Sequence, residues 1–151
     1  MMDKDNLLKL DNQLCFAIYA CSKEVVRLYR PFLDALGITY TQYITLLALW
    51  DKDNLALKEL GEKLFLDSGT LTPLLKKMEA AGLVCRQRSK DDERILCIRL
   101  TDKGKALKDD AYEVAQKVFC ASQLSIKEAV DMRNQLRGML ARLTAAQEKE
   151  K

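Results

Sequence analysis

Between Leu55 and Thr101 the spacing of apolar residues changes from helical to alternating, and the change outlines a compact module. Leu57-Lys58-Glu59-Leu60-Gly61-Glu62-Lys63-Leu64-Phe65-Leu66 carries apolar residues at helical intervals with polar ones between. Asp67-Ser68-Gly69 supplies turn and N-cap chemistry, and a second helical pattern follows from Thr70 to Ala81. Gly82 is placed to end that helix in a left-handed C-cap, with Leu83 making the accompanying apolar contact. Two β-prone runs, Leu83 to Arg88 and Ile95 to Leu100, enclose a charged tip from Ser89 to Arg94, which predicts a hairpin. Two helices in a turn motif plus a hairpin form a winged helix-turn-helix. Such a module can place one helix in a major groove and a basic loop beside it.

The flanks read as helices. Leu10 to about Leu36 is one long helical pattern, with Pro31 predicting a kink or a break into a second short helix. Thr39 or Thr41 can cap a helix that carries Ile44, Leu47 and Ala48 and reaches about Trp50. Thr101-Asp102 opens a helix to roughly Cys120, and Ser125-Ile126-Lys127-Glu128 reads as a capping box opening a last helix to about Ala146. The charged tail from Gln147 to Lys151 is expected to fray. The fold class is therefore mainly α with a small antiparallel β-hairpin wing, in a single domain spanning 1–151.

Apolar residues recur at heptad-like spacing along the first helix, at Leu14, Ile18, Cys21, Val25, Leu28 and Phe32. Leu124, Val130, Leu136, Leu140 and Leu143 do so less regularly near the end. One reading is that these stripes only fill a monomer core. The other, which we favour, is a homodimer through the segments 1–36 and 102–147, with 55–101 as the DNA-binding module. Long helices flanking a small module need something to bury against. A symmetric pair also doubles the few base pairs that one winged helix contacts.

Composition narrows the function. An apolar fraction of 48% suffices for a packed core, and a net charge of +3 is too small to argue for nucleic acid by itself. The distribution says more: Arg86, Arg88, Lys90, Arg94 and Arg99 cluster in the hairpin. No apolar run approaches the roughly 20 residues of a membrane helix, and Met1-Met2-Asp3-Lys4 shows no signal peptide, so a cytoplasmic protein is expected. Five cysteines without paired spacing argue against a disulfide framework there. The absence of histidine removes Ser-His and Cys-His catalytic pairs and leaves no metal-ligand spacing. Neither an enzyme nor a cofactor is implied.

On the second helix of the module the early exposed positions are Ser68, Thr70, Thr72, Lys76 and Lys77. Short hydroxyls can reach base edges or phosphates, and lysines suit the backbone. Pro73 is compatible if it falls near the first turn, where amide donors are free anyway. In the wing, Arg94 is the candidate for minor-groove insertion and Asp92 the clamp that holds its guanidinium. Arg86, Arg88 and Lys90 are expected on phosphates, giving affinity that falls with salt. The bland alternative is a solvated hairpin tip.

Cys15 follows Asp11-Asn12, either of which can cap the first helix, so it falls in or just after the first turn. The positive end of the helix dipole favours a thiolate there, although a cysteine on an apolar helix is more often an inert core residue.

Leu66-Asp67-Ser68-Gly69-Thr70-Leu71-Thr72-Pro73-Leu74-Leu75-Lys76-Lys77-Met78-Glu79, together with Asp91-Asp92-Glu93-Arg94, resembles the MarR superfamily of dimeric winged-helix regulators. Leu10-Asp11-Asn12-Gln13-Leu14-Cys15-Phe16-Ala17-Ile18-Tyr19-Ala20 is similar to its organic hydroperoxide resistance regulator branch. The resemblance covers nearly the whole chain. It implies that Cys15 is a peroxide-sensing cysteine and that Tyr29 and Tyr40 hydrogen-bond its sulfur. It also implies that Cys120 resolves the oxidised sulfur across the subunit interface, as in the branch's two-cysteine subgroup. If Cys120 is only a buried cap-region residue, one-cysteine chemistry follows instead. Cys21 is a poor partner for Cys15, pointing to a largely opposite face about 9 Å along the helix. Cys85 and Cys97 are expected to pack inward in the wing strands, near one another.

Geometry adds a constraint. On one unbroken helix Cys15 and Tyr29, 14 positions apart, share a face but lie about 21 Å from each other. Contact between them then requires the Tyr29 of another subunit. Phe16, Tyr19, Leu36, Leu47 and Trp50 are expected to supply apolar walls that favour organic hydroperoxides. The implied function is a repressor that holds operator DNA when reduced and leaves it when Cys15 is oxidised. Two rivals remain: a regulator of the same fold induced by a small phenolic ligand, and a thiol-dependent peroxidase, which would leave the winged module without a purpose.

Overall fold

The computed structural model describes residues 3–148, so the expectations for Met1, Met2 and the last three residues of the tail lie outside the described residues. The chain divides after Ala115 into two compact units. The first holds a short helix α1 (Lys4–Leu7), a 3-10 turn over Leu10–Asn12, α2 (Leu14–Asp34), α3 (Tyr40–Asp51), β1 (Leu55–Ala56), α4 (Leu57–Leu64), α5 (Ser68–Ala80), β2 (Val84–Arg88) and β3 (Leu96–Leu100). Helix α6 (Asp102–Ala121) runs from the first unit into the second, which also holds α7 (Ile126–Glu148).

The start of α2 departs from expectation. Asp11 and Asn12 sit in the 3-10 turn rather than capping the helix, and the N-cap is Gln13, whose side chain makes no capping bond. Asn12 and Gln13 instead donate their amides back to the carbonyls of Asn6 and Leu7. Pro31 lies inside α2 without ending it. Its missing N–H deprives only the Arg27 carbonyl of a partner, a cost that one exposed turn of helix tolerates. Helix α3 begins with a full capping box: Gln42 N–H donates to Thr39 Oγ1 at 3.3 Å, and Thr39 N–H donates to Gln42 Oε1 at 3.0 Å. The Thr45 hydroxyl, buried in the core, donates to the Thr41 carbonyl at 2.7 Å, so that hydroxyl is not stranded.

The helix-turn-helix forms much as the pattern predicts, with its boundaries set by backbone geometry. Helix α4 stops at Leu64 because Phe65 turns left-handed at φ 54°, and Leu66 N–H closes the end on Gly61 O at 3.0 Å. Asp67 then caps α5, accepting Thr70 N–H at 2.8 Å. Pro73 falls at the sixth helical residue, in the second turn rather than near the first, which leaves the Gly69 carbonyl without its helical donor. At the other end Gly82 adopts φ 73°, with Gly82 N–H on Glu79 O at 2.9 Å and Leu83 N–H on Met78 O at 3.0 Å. Those two bonds make a Schellman motif, and only glycine takes this conformation without strain.

Val84 pairs with Leu100 and Arg88 with Leu96 in the antiparallel hairpin. A third strand, unforeseen from the sequence, is added where Leu55 pairs with Ile98, giving the order β1-β3-β2. One sheet face turns Leu55, Val84, Ile98 and Leu100 into the core against Leu60, Leu71, Leu75 and Met78. The alternation puts Cys85 and Cys97 on the other face, where both are half-buried, so they do not pack inward. They are diagonal rather than opposite, Cys85 facing Arg99 and Cys97 facing Gln87. Burial of some ten aliphatic side chains, at roughly 2 kcal/mol each, is what binds helices and sheet into one body.

Thr101 opens α6 by accepting Gly104 N–H at 3.0 Å while donating to Gly82 O at 2.6 Å. In the second unit Ser125 and Glu128 form the expected capping box, with Ser125 N–H donating to Glu128 Oε2 at 2.9 Å and Glu128 N–H donating to Ser125 Oγ at 3.2 Å. Helix α7 buries no residue among those described, and Met132, Leu136, Leu140 and Leu143 remain exposed. Along α2 only Leu33 is fully buried. No helix among the described residues is long and apolar enough to cross a membrane.

Candidate functional site

Cys15 is the second residue of α2, in the first turn, with an exposed thiol. Its position puts it beside the amides that the helix leaves unpaired, where the dipole favours negative charge. Tyr29 lies on the same unbroken helix, 14 residues on. The axial separation is thus about 21 Å, and the two cannot touch within one chain.

Tyr29 belongs instead to a cluster of three tyrosines. Its ring centroid is 5.2 Å from Tyr40 and 5.3 Å from Tyr43, and Tyr40 and Tyr43 are 6.2 Å apart. Tyr43 is 4% exposed. Burial pushes the Tyr40 and Tyr43 hydroxyls above the usual phenol range, and the neighbouring Tyr29 adds to it in both. Tyr40 and Tyr43 are therefore neutral near pH 7, hydroxyl donors rather than phenolates.

Within one chain the five residues expected as apolar walls fall in separate places. Leu47 and Trp50 line a hollow of about 430 Å³ with Tyr43, Lys108, Ala111 and Tyr112. Phe16 and Tyr19 stay together on the exposed face of α2, ring centroids 6.4 Å apart, with Lys23 over the Tyr19 ring. Leu36 is half-buried just beyond the end of α2 and lines neither group. Cys21 is exposed six residues along α2 from Cys15, and Cys120 is exposed near the end of α6 in the second unit.

The second half of the site lies on the winged module. Ser68, Lys76 and Lys77 are exposed on α5, whereas Thr72 is half-buried and Thr70 turns its hydroxyl toward Asp67 Oδ2 at 3.3 Å. In the wing Arg94 is 90% exposed and held by Asp92, Nε on Oδ1 at 3.0 Å and Nη2 on Oδ2 at 3.2 Å. Arg94 N–H also donates to Asp92 Oδ1 at 3.0 Å, and these bonds hold the Asp92 carboxyl below its usual range. The fork is thus pre-aimed before any ligand arrives. Arg88 donates to Arg94 O at 3.2 Å, and Lys90 is exposed at the tip.

Arg86, expected on phosphate, is paired within the chain. It sits on the core-facing side of β2, and its guanidinium is spent on Glu79, Nε on Oε2 at 2.9 Å and Nη2 on Oε2 at 2.8 Å.

The chain matches the family described as transcriptional regulator SarA/Rot over residues 27–111. It is 45% identical to the organic hydroperoxide resistance transcriptional regulator of Bacillus subtilis strain 168, over 95% of this chain and 97% of that protein. The regulator SarZ of Staphylococcus aureus is 47% identical over 88% of this chain and 90% of its own. Among solved structures, reduced AbfR bound to DNA superposes with a TM-score of 0.77 at 37% identity, covering 94% and 99% of the two chains. A disulfide form of AbfR reaches 0.63 at 36% identity, covering 91% and 96%.

This chain is a MarR-family winged-helix regulator.

Membership makes the regulator a transcription factor and not an enzyme. Two of its organising residues escape a reading of the sequence. Tyr43 follows Tyr40 by three positions on α3, a same-face spacing that could have flagged it. Glu79 gave no such signal, because its partner Arg86 lies across the turn at Gly82 in a strand.

Proposed function

We infer that this regulator is a homodimeric repressor that holds operator DNA when Cys15 is reduced and leaves it when an organic hydroperoxide oxidises Cys15. The observation that carries this is the separation of Cys15 from the tyrosine cluster along one continuous helix. A donor cluster and a reactive thiol about 21 Å apart on one helix face meet when two such helices pack antiparallel, so the sensor is completed by a second copy. The exposed apolar residues Leu14, Phe16 and Val25 on α2, and Leu136, Leu140 and Leu143 on α7, supply surface for that pairing. Apolar rings beside the thiol favour an alkyl or aryl peroxide over hydrogen peroxide.

In the reaction the Cys15 thiolate attacks the peroxide oxygen distal to carbon. An S–O bond forms and the O–O bond breaks. Sulfur becomes a sulfenic acid, and the leaving alkoxide takes a proton to give the alcohol. Condensation with a second thiol, that of Cys120 from the partner subunit or a small thiol, then gives a disulfide and water. On the DNA side Ser68, Lys76 and Lys77 face the major groove and Arg94 the minor groove, and release needs only a few kcal/mol of differential binding.

The test is binding to the regulator's own promoter DNA before and after about one equivalent of cumene hydroperoxide. Wild type should release, Cys15→Ser should stay bound, and Cys120→Ser separates two-cysteine from one-cysteine chemistry. A Cys15→Ser variant that still releases would overturn the reading.

A further inference from the structure

We propose that the turn between α4 and α5 is a docking surface for the sugar–phosphate backbone of operator DNA, with the ring of Phe65 against a deoxyribose and Lys58 on the adjoining phosphate. The inference rests on the reading of the winged module as the DNA-binding face, and it extends that face beyond α5 and the wing.

Phe65 ends α4 at φ 54°, in the left-handed region where a side chain strains the backbone. Two other helix ends give this conformation to glycine, Gly37 at φ 69° after α2 and Gly82 at φ 73° after α5. The non-glycine residues at positive φ among those described are Asn54, Phe65 and Gln123, and of these Phe65 alone is apolar. Crowding in the turn does not call for the ring. Gly61, one turn earlier, is where space is short, since a Cβ there would lie 2.8 Å from the Leu66 carbonyl oxygen. Glycine thus stands where the backbone is crowded and is withheld at the next turn, where the conformation favours it. Core packing does not call for the ring either, because Phe65 is 65% exposed. A strained residue that holds a large apolar ring in solvent points to a contact outside the chain.

Beside the ring lies a hollow of about 510 Å³, lined also by Leu57, Lys58, Glu62, Ser68 and Leu71. What fills it follows from what it adjoins. Ser68 is exposed and is the first residue of α5, so the hollow is continuous with the start of the helix assigned to the major groove. A DNA strand that passes the start of α5 therefore passes the hollow. Lys58 and Glu62 bring one charge of each sign, so the hollow as a whole does not gather anions. Its apolar wall suits the face of a deoxyribose, and Lys58 suits a single phosphate. Contacts of this kind set the position of a protein on the duplex and carry no base sequence.

The test compares the full-length regulator on its own promoter DNA and on a scrambled duplex of equal length, by fluorescence anisotropy, with urea unfolding alongside. Phe65→Gly removes the ring and relieves the backbone, so the urea midpoint should hold or rise. Affinity should fall roughly threefold to tenfold on both duplexes, and the slope of log affinity against log salt should not change, because no charge is lost. Phe65→Asn tolerates the left-handed backbone without the freedom of glycine and should lose as much, whereas Phe65→Tyr keeps the ring and should bind like wild type. Lys58→Ala should weaken both duplexes and reduce the salt slope by about 1. Azidophenylalanine at position 65 should photo-crosslink to the promoter strand, which keeps the test open should the turn variants fold poorly. Wild-type affinity in both Phe65→Gly and Phe65→Asn, a loss confined to the promoter duplex, or a crosslink to protein and not to DNA would overturn the proposal. A wild type that binds no promoter DNA would instead sink the DNA-binding reading on which it stands.

Discussion

Glu79, near the end of α5, grips Arg86 of the wing through both side chain and backbone. Its Oε2 accepts the guanidinium at 2.8 and 2.9 Å, while its Oε1 accepts Arg86 N–H at 3.0 Å. One carboxylate thereby fixes α5 against β2, the helix and wing strand of the proposed DNA-binding face. Glu79→Ala should leave the fold intact and lower operator affinity roughly threefold to tenfold by loosening the angle between them. Arg86→Ala should do no more, and the double variant no worse than either, because both act through one contact. Fluorescence anisotropy on labelled operator at fixed salt checks this, and additive losses would return Arg86 to a direct phosphate contact.

Asp92 offers a test in which the sign is diagnostic. Removing a negative charge from a DNA-facing loop should strengthen binding if only net charge matters. Because Asp92 aims Arg94 through two side-chain bonds, Asp92→Ala should instead weaken operator binding, roughly tenfold. Arg94→Ala should weaken it further and reduce the slope of log affinity against log salt by about 1.

Acid should destabilise the regulator through its caps and clamps. Hydrogen bonds from Thr70 to Asp67, from Arg86 to Glu79, from Arg94 to Asp92 and from Ser125 to Glu128 hold these four carboxyls below their usual range. A folded value below the unfolded one means that the unfolded chain binds more protons. The contribution is therefore complete above an unfolded pKa of about 4 and is lost as pH falls through the folded values. Urea midpoints should be flat from pH 7 to 5 and fall below about 4. Asp67→Asn keeps a capping oxygen but cannot titrate, so its midpoint should fall less steeply in acid.

Of the glycines, Gly104 is the least able to accept a side chain. A Cβ there would lie 2.1 Å from the Leu83 carbonyl oxygen and 3.1 Å from its carbon, both backbone atoms that cannot step aside. The Gly104 carbonyl also accepts Trp50 Nε1 at 2.9 Å, tying α3 to α6. Gly104→Ala should cost about 2–3 kcal/mol in urea unfolding.

How far the sequence reaches depends on the range of each interaction. The capping box at Ser125, the Asp67 cap, the Schellman end at Gly82 and the Asp92–Arg94 fork all join residues within a few positions. Their geometry follows from local spacing, and the sequence by itself determined them, along with the helical and alternating patterns that make a winged module. Interactions closed through space had no such signature. Strand β1 exists because Leu55 meets Ile98, and Asp53 Oδ1 accepts Leu100 N–H at 2.9 Å across the fold. The diversion of Arg86 to Glu79, the outward turn of Cys85 and Cys97, and the joining of Tyr43 to Tyr29 were likewise decided only by tertiary structure. Each depends on which sheet face or helix face meets a neighbour, and a period of 2 or 3.6 residues names the faces without saying what they meet.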